Sequence, residues 1–211
     1  MAGEPGRAHF RHGLRFMLAM ALLLAANHFA GERTIESLLP LMKREIAWLD
    51  DTYRVIDLKL DRQGADRVIR LEVGLANPVV LGGRVLLPDP RARADASTLA
   101  GSVMQPVVLC LALIAAWPAR RPIEYPFRAL IAFVGLVLAV LADVPFVLWG
   151  EVWHIQVLAL EPDRFSPLLV WKDFLQGGGR FALGLLVGAL AIRAAPLVRG
   201  HHVFKRSRSG G

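Results

Sequence analysis

The chain has 211 residues, of which 55% are hydrophobic, and its formal net charge is +7. A soluble domain is about 45–50% apolar, and the apolar excess here lies in a few long runs, which argues against an ordinary soluble enzyme or binding module. The single cysteine excludes an intrachain disulfide and indicates nothing about the redox compartment.

The first predicted element is a membrane anchor. Residues 1–13 are basic and are predicted to be a cytoplasmic N-terminus, and residues 14–30 are predicted to be transmembrane helix 1. A membrane-spanning helix needs about 20 mainly apolar residues. A basic lead before a short apolar run is also typical of a cleaved signal peptide, but Leu or His occupies the −3 position of most plausible cleavage sites. We therefore expect a retained anchor.

Residues 31–98 are predicted to form a periplasmic α+β domain that begins with a helix. Apolar residues recur there at three- and four-residue spacing, which is typical of an amphipathic helix, and Pro40 is expected to kink or restart it. The apolar positions are Ile35, Leu38, Leu39, Met42, Ile46 and Leu49.

The second half of this domain has the period of a sheet. In residues 53–61 and 66–76 apolar and polar residues alternate, which predicts two strands with one solvated face, joined by a turn at Gly64. A third strand is predicted from Val79 to Leu87, and a linker from Leu86 to Ser97. Because about 70 residues bury little surface, we expect the domain to lean on the membrane helices, on lipid or on another protein.

Two further transmembrane helices are predicted next, at residues 99–117 and 127–149, with a cytoplasmic loop at residues 118–126 between them. Cys110 lies among apolar residues and is expected to be a packing residue, since a buried thiol is a poor nucleophile. Pro145 is expected to weaken the third helix, so that its polar outer end begins near Asp143.

Residues 150–179 are predicted to be a periplasmic loop on the membrane surface, because aromatic side chains favour the headgroup zone. An ordinary connector with a few aromatics is the alternative. The proposed interfacial aromatics are Trp149, Trp153, Phe165 and Trp171.

The last predicted elements are transmembrane helix 4 at residues 180–198 and a cytoplasmic basic tail at residues 199–211. Gly184 and Gly188 form a GxxxG pattern in this helix. Small residues one turn apart let two helices approach closely, so these glycines are predicted to be a helix-packing contact.

Each predicted span has a polar residue in its outer half. We predict that these side chains form a cluster that holds the bundle together or receives a partner helix; the alternative is that they are independent end residues facing headgroups. They are Asn27, His28, Gln105, Asp143 and Arg180.

The fold class predicted is therefore membrane α-helical, with four transmembrane helices and a small α+β extracytoplasmic domain between helices 1 and 2. The net positive charge lies in the predicted cytoplasmic segments, whereas the predicted outer segments carry about as many acidic as basic residues, a pattern typical of the positive-inside rule. This charge distribution predicts that both termini are cytoplasmic. The basic residues are predicted to contact anionic lipid headgroups rather than nucleic acid.

No HExxH, GxSxG, phosphate-loop or CxxC motif occurs in the sequence, so no catalytic residue, metal or cofactor is assigned. A membrane enzyme can scatter its residues across helices, and that possibility stays open.

Three phrases carry a resemblance: ASTLAGSVMQPVVL from Ala96 to Leu109, the Trp117-Pro118 pair, and DVPFVLWGEVW from Asp143 to Trp153. With the layout of residues 14–153, they resemble small multi-pass proteins associated with bacterial exosortases. The resemblance implies a bacterial inner-membrane partner protein in envelope protein sorting and implies no catalytic residue here. Exosortases use a cysteine nucleophile, but Cys110 does not stand in a matching context.

The function predicted is a non-catalytic accessory or assembly subunit that binds a larger membrane protein, and the resemblance implies that this larger protein is an exosortase. The alternative is a subunit of an oligomeric transporter or channel lined by the polar cluster, and a membrane enzyme is the third candidate.

Overall fold

The computed structural model describes residues 4–119 and 121–194. Long apolar helices combined with a small sheet were predicted, and this combination is confirmed. The elements are α1 Glu4–Leu49, β1 Tyr53–Gln63, β2 Asp66–Leu75, β3 Val79–Leu81, β4 Arg84–Leu86, β5 Ala94–Leu99, α2 Ala100–Ala116, α3 Glu124–Leu160, α4 Pro167–Phe174, a π-helical segment Leu175–Gly179 and α5 Arg180–Ala194.

Three helical stretches are long and apolar enough to cross a membrane: Phe10–Leu49, Glu124–Leu160 and Pro167–Ala194. The second predicted span corresponds to α2, which has 17 residues. Its length is about 26 Å at 1.5 Å per residue, slightly less than a hydrocarbon core of about 30 Å. In the fourth predicted span, residues 195–198 lie outside the described part of the chain, as does the predicted tail.

The first helix is longer than predicted. α1 is one helix from Glu4 to Leu49 and does not end or restart at Pro40. A proline in a helix leaves the carbonyl four residues earlier, here that of Glu36, without its donor. Glu36 and Pro40 are both exposed, so the solvated side of the helix tolerates this loss. The amphipathic pattern was correct, since Ile35, Met42 and Ile46 are buried.

The main sheet has three antiparallel strands in the order β1-β2-β5. The two predicted strands and the turn at Gly64 are confirmed, with register from Tyr53↔Leu75 to Gln63↔Asp66. The third strand is β5, which pairs with β2 from Val68↔Leu99 to Val73↔Ala94. The prediction of a linker over Leu86 to Ser97 was therefore wrong in its last part.

The prediction of one strand from Val79 to Leu87 was also wrong. This stretch folds into a separate two-stranded hairpin, β3 and β4. Gly82 and Gly83 have positive φ angles of 56° and 72°, the conformation of a two-residue hairpin turn. The glycine pair is the sequence signal that should have divided the strand.

The third membrane helix also continues beyond its predicted end. α3 passes through Asp143, Pro145 and Trp149 and ends at Leu160, so Pro145 does not end it. The predicted loop over residues 150–179 is mainly helical, since α4 and the π-helical segment follow. Gly178 has a φ angle of 114°, which separates α4 from α5 because residues with a side chain rarely adopt this conformation.

The chain divides into two compact units. The helical unit comprises the described parts of Met1–Ala25, Pro106–Val137 and Phe181–Gly211, and the mixed unit comprises Ala26–Gln105 and Leu138–Arg180. One interior cluster of the helical unit contains Cys110, Ala132, Leu136, Val187 and Ala191. The mixed unit buries one face each of α1 and β2 and the second half of α3.

Candidate functional site

A buried ion pair joins two residues of the predicted polar cluster. In the mixed unit, Arg180 Nε lies 2.9 Å from Asp143 Oδ1 and 2.8 Å from Oδ2, and Arg180 Nη2 lies 3.3 Å from Thr98 Oγ1. Asp143 is 1% and Arg180 is 6% exposed. The contacts connect α3, the start of α5 and β5, so this pair holds helices and sheet in one arrangement.

Asp143 and Arg180 were predicted from the sequence as members of the polar cluster, but Thr98 was not. A threonine in a short polar strand has no feature that distinguishes it from a surface residue. Thr98 lies near Arg180 because β5 pairs with β2. Most of β5 was predicted to be a linker, so this pairing was not expected.

A second polar network was missed entirely. Lys172 is 6% exposed, and its Nζ lies 3.3 Å from Glu151 Oε1, which also accepts a hydrogen bond of 3.0 Å from Gln176 Nε2. Gly150 makes room for the Lys172 side chain, because a Cβ added at Gly150 would lie 3.2 Å from the Cβ and Cδ atoms of Lys172. The residues come from α3, α4 and the π-helical segment, so no sequence spacing connects them.

Asn27 and His28 lie away from the ion pair, at a cleft of about 160 Å³ in the mixed unit. The buried Asn27 Oδ1 has no hydrogen-bond partner in the described structure. Across the cleft, Arg67 Nε donates to Glu32 Oε1 at 3.0 Å. The lining residues are Asn27, His28, Gly31, Glu32, Ile35, Arg67, Ala100, Gly101 and Met104.

Gln105 is exposed on α2. The five polar residues of the predicted cluster therefore divide into a buried pair, two cleft residues and an exposed glutamine.

The four predicted interfacial aromatics have different environments. Trp149 does not lie at the surface as predicted. It is 7% exposed and packs edge-on against Tyr53, with ring centroids 4.9 Å apart. The reason is that α3 continues past its predicted end and turns this face inward. Phe165 is 78% exposed. Arg164 lies 5.4 Å above the ring of the partly buried Trp153.

Trp171 is partly buried and its indole N–H donates to the carbonyl of Ala142 at 2.8 Å. Pro145 removes the helix donor of the neighbouring carbonyl, that of Leu141, so the Trp171 contact lies beside that carbonyl and does not replace its lost hydrogen bond. Tyr53 donates to Gln156 Oε1 on α3, and burial raises the pKa of this tyrosine above its usual 10.0.

The two glycines of the GxxxG pattern face α2 in the helical unit. A Cβ added at Gly184 would lie 2.7 Å from the backbone of Pro106, and one at Gly188 would lie 3.0 Å from Leu113 Cδ2 and 3.3 Å from the Cys110 carbonyl. The two helices approach closely because these residues have no side chain.

The C-terminus of α2 is capped by side chains of α1 and α3. His12 Nδ1 donates to the Ala116 carbonyl at 3.3 Å and its ring stacks on Trp117, with centroids 5.7 Å apart. Arg128 Nη1 donates to the Trp117 carbonyl at 2.7 Å. The last carbonyls of a helix have no intrahelical partner, so these contacts fix three helix ends together.

Residues 4–119 and 121–194 contain no group of three or more His, Cys, Asp or Glu side chains that could hold a metal ion. Cys110 is completely buried in the helical unit. No protein-family model, curated protein or solved structure matches the chain, so the resemblance to exosortase-associated proteins stays a prediction.

Proposed function

We propose that this protein is a non-catalytic accessory subunit of a bacterial inner-membrane complex. In this proposal the chain crosses the membrane four times with both termini in the cytoplasm, and it binds a larger membrane protein of the exosortase type through α1. The mixed unit lies on the periplasmic side.

One observation carries the proposal. In the apolar 18-residue window of α1 no residue is buried, whereas 44% of the window in α3 and 33% of the window in Pro167–Ala194 are buried. Between Phe10 and Ala26 the partly covered residues are His12, Phe16, Ala19, Met20 and Leu23, and the other residues of this part of α1 are exposed. A membrane helix that packs so little against its own bundle has most of its surface available to another protein.

The exposed surface of α1 has the composition of a helix-packing interface. Ala21 and Ala25 lie one turn apart and are exposed, with Leu14, Leu18 and Leu22 beside them. Without a hydrophobic driving force in lipid, helices associate through close packing at small residues. The alanines supply the close approach and the leucines supply the contact area.

The buried charges favour an accessory subunit over a transporter. Asp143 and Arg180 neutralise each other in the interior, and Lys172 is held by Glu151. A transport pathway needs polar groups that a solute or ion can reach. Gln105 is exposed and separate from these pairs, so the polar residues do not line one path.

The basic flanks fit the proposed orientation. Arg11 and Arg121 are exposed and border the apolar helices, and cytoplasmic Lys and Arg residues orient membrane proteins and attract anionic lipid headgroups.

Co-purification from the native membrane tests the proposal. The full-length protein is extracted in a mild detergent, and a stoichiometric exosortase-type protein is expected to accompany it. The double variant Ala21→Leu/Ala25→Leu is expected to lose this protein, because two added side chains prevent close approach at α1.

The matched control is Ala182→Leu/Ala189→Leu, which makes the same change at exposed positions of α5. This variant should retain the partner. Equal retention by both double variants, or the absence of a stoichiometric membrane partner from the wild-type preparation, would refute the proposed function.

A further inference from the structure

We propose that the cleft between α1, β2 and the start of α2 binds the headgroup of phosphatidylethanolamine. The proposal rests on the membrane insertion assumed in the proposed function and adds a lipid ligand of defined chemistry. It is argued from the position, size and polar groups of the cleft.

The cleft lies where two predicted membrane spans end. Asn27 and His28 are in the last turn of the span predicted at residues 14–30, and Ala100 and Gly101 begin α2. A site at these positions is at the level of phospholipid headgroups if the two spans cross the membrane.

The size of the cleft restricts the ligand. A volume of about 160 Å³ equals that of about five water molecules at roughly 30 Å³ each, whereas pockets that enclose drug-sized ligands measure about 300–1,000 Å³. A small polar headgroup fits this space while its acyl chains stay outside. Leu24, which is 54% exposed, lies one helical turn from Asn27 and His28 towards the predicted membrane interior and offers apolar surface for the chains.

The polar groups of the cleft match a zwitterion with hydrogen-bond donors on its cation. The Glu32 carboxylate accepts hydrogen bonds and suits a primary ammonium group. Asn27 Oδ1 is buried and unpaired beside Gly31, and it accepts from the same ammonium group once the amide turns into the cleft. Arg67 donates and suits a phosphate. An acceptor buried without a partner costs free energy, and an ammonium N–H removes that cost.

The Glu32–Arg67 ion pair can open, so that each side chain exchanges its partner for the opposite charge of a headgroup. Their side chains are 49% and 47% exposed and share one contact of 3.0 Å. Exposed pairs contribute little to stability, so each side chain can turn to the opposite charge of a headgroup at small cost.

Lipid retention in nanodiscs tests the site. The purified full-length protein is reconstituted with equal amounts of phosphatidylethanolamine, phosphatidylcholine and phosphatidylglycerol, and native mass spectrometry measures the lipids that stay bound after release. We expect phosphatidylethanolamine to be preferred. Phosphatidylcholine has the same charges but no N–H donor for Asn27 Oδ1, and phosphatidylglycerol has no cation for Glu32.

Two variants locate the binding. Arg67→Ala removes the phosphate partner and is expected to weaken retention by about tenfold, the loss expected from one charge-assisted hydrogen bond. Asn27→Leu should abolish the preference over phosphatidylcholine. The control is Arg93→Ala, which removes a similar exposed ion pair outside the cleft, in which Arg93 Nη1 lies 3.4 Å from Glu72 Oε2. This variant should retain lipids as the wild type does.

Equal retention of the three lipids, preference for phosphatidylglycerol or phosphatidylcholine, or an Arg67→Ala variant with unchanged retention would each overturn the proposal. Arg67 is exposed, so its variant is expected to fold even if Asn27→Leu does not. The lipid-retention result does not change the outcome of the co-purification experiment, and a missing partner protein does not change lipid retention in nanodiscs. The two proposals can therefore fail separately.

Discussion

At the scale of single residues, the described structure neutralises several buried charges by contacts that sequence spacing does not reveal. Asp143 and Arg180 are 37 positions apart, and Glu151 and Lys172 are 21 apart. Removing a charge from water costs several kcal/mol per ion, and a partner repays this only with good geometry. The two Asp143 oxygens at 2.8 and 2.9 Å from Arg180 Nε provide it.

The buried pair predicts a strongly non-additive response to mutation. Asp143→Leu and Arg180→Met alone should each lower the free energy of unfolding by about 3–5 kcal/mol, because each leaves one buried charge without a partner. The double variant should be more stable than either single variant. Equilibrium unfolding in mixed micelles measures all three.

The control for this cycle is Arg93→Ala, which breaks the exposed contact with Glu72 and should change stability by about 0.5 kcal/mol or less. A double variant whose loss equals the sum of the two single losses would show that Asp143 and Arg180 do not act as a pair.

A second residue-scale prediction concerns the contact between the β3–β4 hairpin and the end of α3. Glu161 Oε1 accepts from the Gly82 N–H at 2.6 Å and Oε2 from Arg164 at 2.8 Å, and these hydrogen bonds hold its pKa below the usual 4.5. Because the folded pKa is lowered, the stabilisation is present above pH 4.5 and is lost as pH falls towards the folded pKa.

Hydrogen exchange of the hairpin amides measures this dependence. Protection should fall below pH 4.5 in the wild type and should be independent of pH there in Glu161→Gln, whose amide oxygen still accepts from Gly82. The same acid dependence in both proteins would assign the effect to another group.

At the scale of elements, the periodicity of the sequence predicted the helix faces and strands whose pattern depends only on residues close together in the chain. The helix face of Ile35, Met42 and Ile46 and the hairpin of β1 and β2 were read correctly because each pattern is local. β5 was missed because its inward residues, Ala94, Ala96 and Thr98, are small or polar, and the strand is held by pairing with β2. The predicted helix end near Pro145 was wrong because tertiary contacts, such as that of Trp171 with Ala142, support the helix.

Packing of α5 against α2 gives a prediction at this scale. Gly184→Ala should lower the free energy of unfolding by about 1–3 kcal/mol, the range for overpacking, because the new Cβ would lie 2.7 Å from backbone atoms of Pro106. Gly13→Ala is the control: nothing lies within 4 Å of its added Cβ, and alanine favours helix by up to about 1 kcal/mol.

Unfolding of both variants in mixed micelles provides the comparison. If Gly184→Ala were as stable as Gly13→Ala, the approach of α5 to α2 would not depend on the missing side chain.

At the scale of the whole molecule, the proposed topology assigns each helix end to one side of the membrane. His12, Trp117 and Arg128 bring together one end each of α1, α2 and α3, and the proposed topology places these ends on the cytoplasmic side. α1 is about 69 Å long at 1.5 Å per residue, more than twice the thickness of a hydrocarbon core of about 30 Å. A large part of α1 must therefore lie outside the hydrocarbon if the helix spans the membrane.

This topology is tested with single cysteines in a Cys110→Ala background. Cys110 is the chain's one cysteine, so new cysteines can be labelled alone. Ala65→Cys lies at the exposed turn between β1 and β2, and Ile123→Cys lies at a position that is 57% exposed in the predicted cytoplasmic loop. Neither substitution changes the charges that orient the helices. A membrane-impermeant maleimide should label Ala65→Cys in spheroplasts and Ile123→Cys only after the membrane is opened. The reverse pattern would place the sheet in the cytoplasm and refute the proposed orientation, and labelling of both positions from outside would require an even number of crossings between them.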